Sequence, residues 1–132
     1  PSEQDVAAVL NGLRSFNAPH FANAGATEFG IFVRDAQGAI VGGMFGERIF
    51  TSIFVKYFWI SENIRGQGLG YKLMARLEQE AAALGVENLY LDTFSFQAPG
   101  FYKKVGFKEV GRFTDYPSKG ADQIFYQKAV GA

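Results

Sequence analysis

Residues 53–77 read IFVKYFWISENIRGQGLGYKLMARL, and this stretch decides the fold. Ile53 to Ile60 is an almost unbroken apolar and aromatic run, which predicts a strand covered on both faces. Gly66 to Gly70 forms a glycine-rich turn. Beyond it Leu69, Leu73, Met74, Leu77, Ala81 and Leu84 recur at helical spacing, and Gly85 is placed to cap that helix. Asn88 to Thr93 alternates again and predicts a strand. A strand–helix–strand passage is a right-handed crossover, so these two strands are expected as parallel neighbours.

Outward from this unit the chain turns antiparallel. Glu28 to Arg34 carries Phe29, Ile31 and Val33 on alternate positions, and Asp35 to Gly38 is a turn leading into a strand from Ala39 to Phe45. Gly42, Gly43 and Gly46 predict a bulge or close packing there. Upstream, Val6, Val9, Leu10, Leu13 and Phe16 mark one face of a helix ending near Asn17, with Ser2 and Asp5 as a capping box. Residues 20–27 read as a loop. Downstream, a short helix is expected over Ala98 to Lys104, ending at Gly106. Strands at Lys108 to Thr114 and Gln123 to Val130 flank a Pro117–Gly120 turn. The expected fold is α/β: a mixed, mostly antiparallel sheet with one parallel strand pair and helices on both faces. It forms a single domain over residues 1–132.

Composition narrows the function. Thirteen basic and thirteen acidic side chains cancel, so no nucleic-acid or anionic-membrane surface is expected. The absence of cysteine excludes a disulfide scaffold, a thiol nucleophile and zinc-thiolate or iron–sulfur sites, and no metal site is expected. No apolar run reaches the ~18 residues of a membrane span. The N-terminus lacks a signal layout, and the expected location is cytoplasmic.

The chemistry centres on Arg65-Gly66-Gln67-Gly68-Leu69-Gly70. A helix N-terminus offers unpaired N–H groups and partial positive charge, and glycines let phosphate oxygens approach the backbone. The turn therefore suits a phosphate or pyrophosphate. It is not a Walker A loop, which needs Gly-Lys followed by Ser or Thr. A dinucleotide fingerprint would place a third glycine where Tyr71 stands. Asp92 lies where a ribose-binding acid belongs, but the preceding strands form an antiparallel meander rather than opening a βαβ unit.

Arg65-x-x-Gly68-x-Gly70 resembles the Q/R-x-x-G-x-G/A signature of the GCN5-related N-acetyltransferase (GNAT) superfamily. Phe58-Trp59-Ile60-Ser61 and the segment Ala98 to Phe107 resemble the family's neighbouring motifs, and the likeness runs from about Glu28 to Val130. It implies that acetyl-CoA is the cosubstrate. The pantetheine arm would pair with backbone of Phe58, Trp59 and Ile60, where an N–H would polarise the acetyl carbonyl. The pyrophosphate would meet Gly66, Gln67, Gly68, Leu69 and Gly70, with Arg65 alongside. Phe101 would pack near the adenine end or the core, and Lys104 would reach phosphate or face solvent. Tyr102, on its own a packing tyrosine, corresponds to the family's general acid for the departing thiolate. Two departures stand out: Ser95 occupies a position where many members have an asparagine on the pantetheine arm, and the usual first strand is missing.

The resemblance implies transfer of acetyl to a primary amine, of a small molecule first, by direct attack in a ternary complex. A protein amine, or a module that binds acyl-CoA without turnover, is the alternative. The acceptor wall is expected from Phe16, Asn17, His20, Phe21, Tyr57, Phe94, Phe113, Tyr116 and Phe125. The general base is open between Glu47, Asp92, His20 and water. A homodimer would cover the edges that the terminal strands leave.

Overall fold

Alternating apolar side chains build one six-stranded sheet, and two helices close its core. The computed structural model describes residues 1–21 and 25–131; residues 22–24 of the predicted 20–27 loop lie outside the described residues. The elements are α1 (Glu3–Asn17), β1 (Thr27–Arg34), β2 (Ile40–Ile49), β3 (Ser52–Ile60), a 3-10 turn (Glu62–Ile64), α2 (Leu69–Ala83), β4 (Asn88–Phe94), α3 (Gly100–Lys104), β5 (Lys108–Phe113) and β6 (Gln123–Ala129). The strand order is β1-β2-β3-β4-β6-β5. Among the described residues only β3 and β4 run parallel, as the crossover requires.

Ile53 and Val55 of β3, Leu89 and Leu91 of β4, and Ile124 and Tyr126 of β6 meet Leu73, Met74, Leu77 and Ala81 of α2 in one core, joined by Tyr102 of α3 and Phe107. Each such fully buried aliphatic side chain contributes about 2 kcal/mol. Two glycine caps fix the helices. Gly85 (φ +73°) follows α2, where Val86 N–H donates to the Ala81 carbonyl and Gly85 N–H to Ala82. Gly106 (φ +97°) repeats the pattern after α3, with Phe107 N–H on Tyr102 and Gly106 N–H on Lys103.

Three expectations need correction. β2 does not stop at Phe45 but continues to Ile49, because the glycine there admits a bulge. Phe45 faces Tyr57 and Gly46 faces Val55, leaving Lys56 as the extra residue. A Cβ at Gly46 would lie 2.0 Å from the Phe54 carbonyl oxygen, so only glycine lets the strands close. Second, β3 is covered on one face only: Tyr57 and Trp59 are 69% and 51% exposed. Third, the apolar stripe of α1 forms but is left uncovered, and no α1 residue is buried among the described residues. Half of the capping box forms, the Asp5 N–H donating to Ser2 Oγ at 3.1 Å.

A lysine ties the two packed helices to the sheet. Lys128 of β6 is 10% exposed; its Nζ donates to the Val105 carbonyl at 2.6 Å and pairs with Glu78 of α2 at 2.9 Å. Removing it takes the partner from the Val105 carbonyl and the half-buried Glu78 carboxylate together. Lys128→Ala is expected to lower stability by about 2 kcal/mol, or roughly 8 °C in melting temperature, read by thermal denaturation. A shift below a degree would show that solvent already satisfies both partners.

Candidate active site

β3 and β4 pair only from Ser52 opposite Asn88 to Val55 opposite Leu91. Beyond that point they part, and a cleft of about 880 Å³ opens between Phe58, Trp59 and Ile60 on one side and Asp92 and Thr93 on the other. Its far end is closed by the glycine turn, and Phe101 and Tyr102 line it from α3. This volume lies in the range of small-molecule sites, roughly 300–1,000 Å³.

The three glycines of the turn perform different tasks. Gly66 (φ +81°) and Gly68 (φ +74°) adopt left-handed backbone, and a Cβ on either would meet no atom within 4 Å. The space beside them is open to a ligand. Gly68 is the N-cap of α2 and offers no capping side chain. The N–H groups of Leu69, Gly70 and Tyr71 consequently have no acceptor among the described residues; the first helical bond is Lys72 N–H to Gly68. Gly70 has a packing role instead: a Cβ there would sit 3.1 Å from the Phe101 ring. Phe101 stacks on Phe58 at 5.8 Å and meets Tyr71 edge-on at 5.3 Å. A pyrophosphate-bearing ligand thus fits the donor set and the open space.

Arg65 lines the cleft, and its Nε donates to the Ile60 carbonyl at 2.9 Å, holding the guanidinium against the end of β3. Gln67, Lys104 and Ser95 do not line it. Lys104 is exposed at the end of α3. Ser95 is engaged elsewhere: its Oγ accepts from Asp122 N–H at 3.0 Å and its N–H donates to the Asp122 carbonyl at 2.9 Å.

Tyr102 stands in an aromatic box. Phe58, Phe101, Phe107 and Tyr126 surround its ring at centroid distances of 5.4–6.4 Å. Burial, reinforced by the Tyr126 and Asp92 charges, pushes the phenol above its ordinary value near 10. The hydroxyl therefore keeps its proton throughout the neutral range.

Of the three protein groups considered as general base, only Asp92 lines the cleft. One of its oxygens accepts from Gln123 Nε2 at 3.1 Å, leaving the other without a protein donor among the described residues. Glu47 lies on β2, its carboxylate bonded to Lys56 at 2.7 Å. His20 lies against Phe16, the two rings tilted with centroids 6.3 Å apart.

The expected acceptor wall does not assemble. Phe21 packs on Phe50 in the β2–β3 turn, at the opposite end of β3 from the cleft. Phe113 groups with Tyr116 and Phe125, and Phe94 with Phe96. Only Tyr57 of the set reaches the cleft, joined by Phe96, Gln97 and Ala98, which sequence reading missed. Gln97 shapes that rim by accepting from Thr93 Oγ1 and Phe94 N–H. Ala98 is held at φ +56°, a left-handed strain of about 1–2 kcal/mol.

Residues 27–109 match the family described as acetyltransferase (GNAT) domain. Blasticidin-S acetyltransferase of Streptomyces morookaense is 37% identical over 82 residues, 61% of this chain and 60% of that protein. An acetyltransferase of Agrobacterium fabrum is 29% identical over 104 residues, 79% of this chain and 76% of the other. The crystal structure of an acetyltransferase from Bacillus cereus superposes with a TM-score of 0.88 at 31% identity, covering 98% of this chain and 94% of that one. The match thus spans under two thirds of the blasticidin-S enzyme. Among the described residues no helix is long and apolar enough to cross a membrane.

Proposed function

Because the chain belongs to the GNAT acetyltransferase family, we propose that it moves an acetyl group from acetyl-CoA to the primary amine of a small molecule, by direct attack with both substrates bound. The observation that carries this reading is the parting of β3 and β4 above a glycine turn with free N–H groups, with Tyr102 on the cleft wall. Acetyl-CoA would supply the acetyl group already activated as a thioester.

The chain's own residues divide the work. The N–H groups that open α2 and the Arg65 guanidinium bind pyrophosphate. The edge of β3 from Phe58 to Ile60, unpaired toward β4, holds the pantetheine arm and turns an N–H to the acetyl oxygen. Asp92 takes the proton of the incoming amine. Tyr102 returns a proton to the thiolate that leaves. A small acceptor is favoured by an aromatic cleft in which Lys56, Arg65 and Asp92 are the charged side chains, and by the likeness to an enzyme named for acetylating blasticidin S.

Thiol release from acetyl-CoA over a panel of small amines, lysine peptides and N-terminal peptides tests the reading. Turnover on small amines above peptides supports it. Peptide preference reassigns the acceptor, and binding without turnover identifies an acyl-CoA-binding module. With an amine in hand, Asp92→Asn is expected to lower kcat about 10²-fold with acetyl-CoA affinity little changed. Unchanged kinetics would leave deprotonation to water.

A further inference from the structure

The turn that carries the chain from β4 into α3 is held by one side chain. Gln97 Oε1 accepts from Phe94 N–H at 3.0 Å and from Thr93 Oγ1 at 3.2 Å. A backbone N–H only donates, so the amide presents its oxygen to both. Gln97 also donates its own N–H to the Phe94 carbonyl at 2.9 Å. Both polar backbone groups of the last β4 residue are therefore taken by Gln97. Thr93 is 5% exposed, and among the described residues Gln97 is the partner of its hydroxyl. Directly after this clamp Ala98 stands at φ +56°. A residue with a Cβ keeps that conformation only where its surroundings fix it.

We propose that Gln97 is the positioning residue for Tyr102: by clamping this turn it sets where α3 begins, and so where the phenol stands in the cleft. The proposal rests on the reading of Tyr102 as the general acid. α3 has five residues, too few to hold a direction of its own. Its C-terminal end is fixed by the Gly106 turn and by Lys128 on the Val105 carbonyl. Its N-terminal end has no side-chain cap. There Phe101 N–H donates to the Ala98 carbonyl at 3.3 Å, and Tyr102 N–H to the Pro99 carbonyl at 3.1 Å. The backbone that carries the phenol thus hangs on the two residues that follow the clamp. Thr93, Gln97, Ala98 and Tyr102 all line the cleft, so the whole chain of contacts runs along one wall. Without the clamp, Phe94 N–H and the buried Thr93 hydroxyl lose their acceptor, and Ala98 relaxes toward ordinary negative φ. That relaxation redirects α3 at its start. A misplacement of about 1 Å at a reacting group is enough to cost roughly 10²-fold in rate.

The test compares two variants of the whole chain. Gln97→Leu removes the clamp, whereas Gln97→Glu keeps an oxygen for both donors. Turnover is read as thiol release from acetyl-CoA with the small amine of the panel that reacts fastest. Gln97→Leu is expected to lower kcat about 30-fold, with acetyl-CoA affinity changed by less than about threefold, and Gln97→Glu is expected to restore most of that rate. Placed on Tyr102→Phe, Gln97→Leu is expected to cost less than about twofold more, because the group it positions is gone. A second readout needs no acceptor: the ultraviolet titration of Tyr102, taken as the difference between each protein and its Tyr102→Phe counterpart. Burial holds this phenol above its ordinary value; its titration is expected to fall toward that value in Gln97→Leu and to stay high in Gln97→Glu. Full loss from Gln97→Leu on top of Tyr102→Phe, a Gln97→Glu as slow as Gln97→Leu, or an unmoved titration each overturns the positioning role alone. Undiminished turnover in Tyr102→Phe by itself overturns the general-acid reading, and the positioning role with it.

Discussion

Gly68→Val is expected to lower acetyl-CoA affinity by at least 100-fold while the protein stays folded. Gly68 is left-handed at φ +74°, and the space beside it is open. A branched side chain there fills the volume in which a phosphate would meet the Leu69, Gly70 and Tyr71 N–H groups. It also strains the backbone by about 1–2 kcal/mol, so the strain must be separated from the blockage. Gly38 supplies the control: it too is left-handed (φ +85°) with nothing within 4 Å, but it sits in the β1–β2 turn. Gly38→Val carries the same strain and should bind acetyl-CoA normally. Calorimetric titration of both variants, with NAD as a negative ligand, reads the difference. Equal affinities for Gly68→Val and the wild type would remove the turn from the binding site.

Tyr102→Phe is expected to reduce kcat by 10²- to 10³-fold with acetyl-CoA affinity changed less than threefold. Phenylalanine keeps every ring contact in the aromatic box, and the hydroxyl has no protein partner among the described residues to lose. Only proton donation disappears. Equal turnover would make the phenol a packing group. The same residue links pH to stability. Its folded pKa is raised above the unfolded value near 10, so the folded state holds the proton more tightly. The stabilising contribution is complete below pH 10 and is lost as pH rises through the folded value. Melting curves should show a smaller drop from pH 9 to 11 in Tyr102→Phe than in the wild type.

The parts of this molecule that follow side-chain periodicity were readable in advance. The alternation at Leu89 and Leu91, the helical spacing at Leu73 and Leu77 and the glycine stop at Gly85 each state a local rule, and together they set the crossover. The turn ahead of α2 was legible as a conformation, because glycine is the residue that takes left-handed backbone without strain. What was not legible depends on partners distant in sequence. Amphipathic spacing in α1 announces an apolar stripe but not what covers it. The bulge at Lys56 shifts β3 by one residue, so an unbroken apolar run ends with Tyr57 and Trp59 in solvent. Lys128 looks like a solvated strand residue until Glu78 and Val105 come to meet it. Phe96 and Gln97 reach the cleft through a turn that has no period at all.

The parting of β3 from β4 has a consequence for persistence. Among the described residues, four paired positions make the strand ladder between the β1-β2-β3 half and the β4-β6-β5 half. A ligand lying in the gap works as a missing rung, and it protects the native state by RT ln(1 + [L]/Kd). At a hundred times Kd that is about 2.7 kcal/mol. Filled molecules would then outlast empty ones under proteolysis, which samples the opened population. The amount of this protein surviving in a digest would serve as a gauge of how much acyl donor surrounds it.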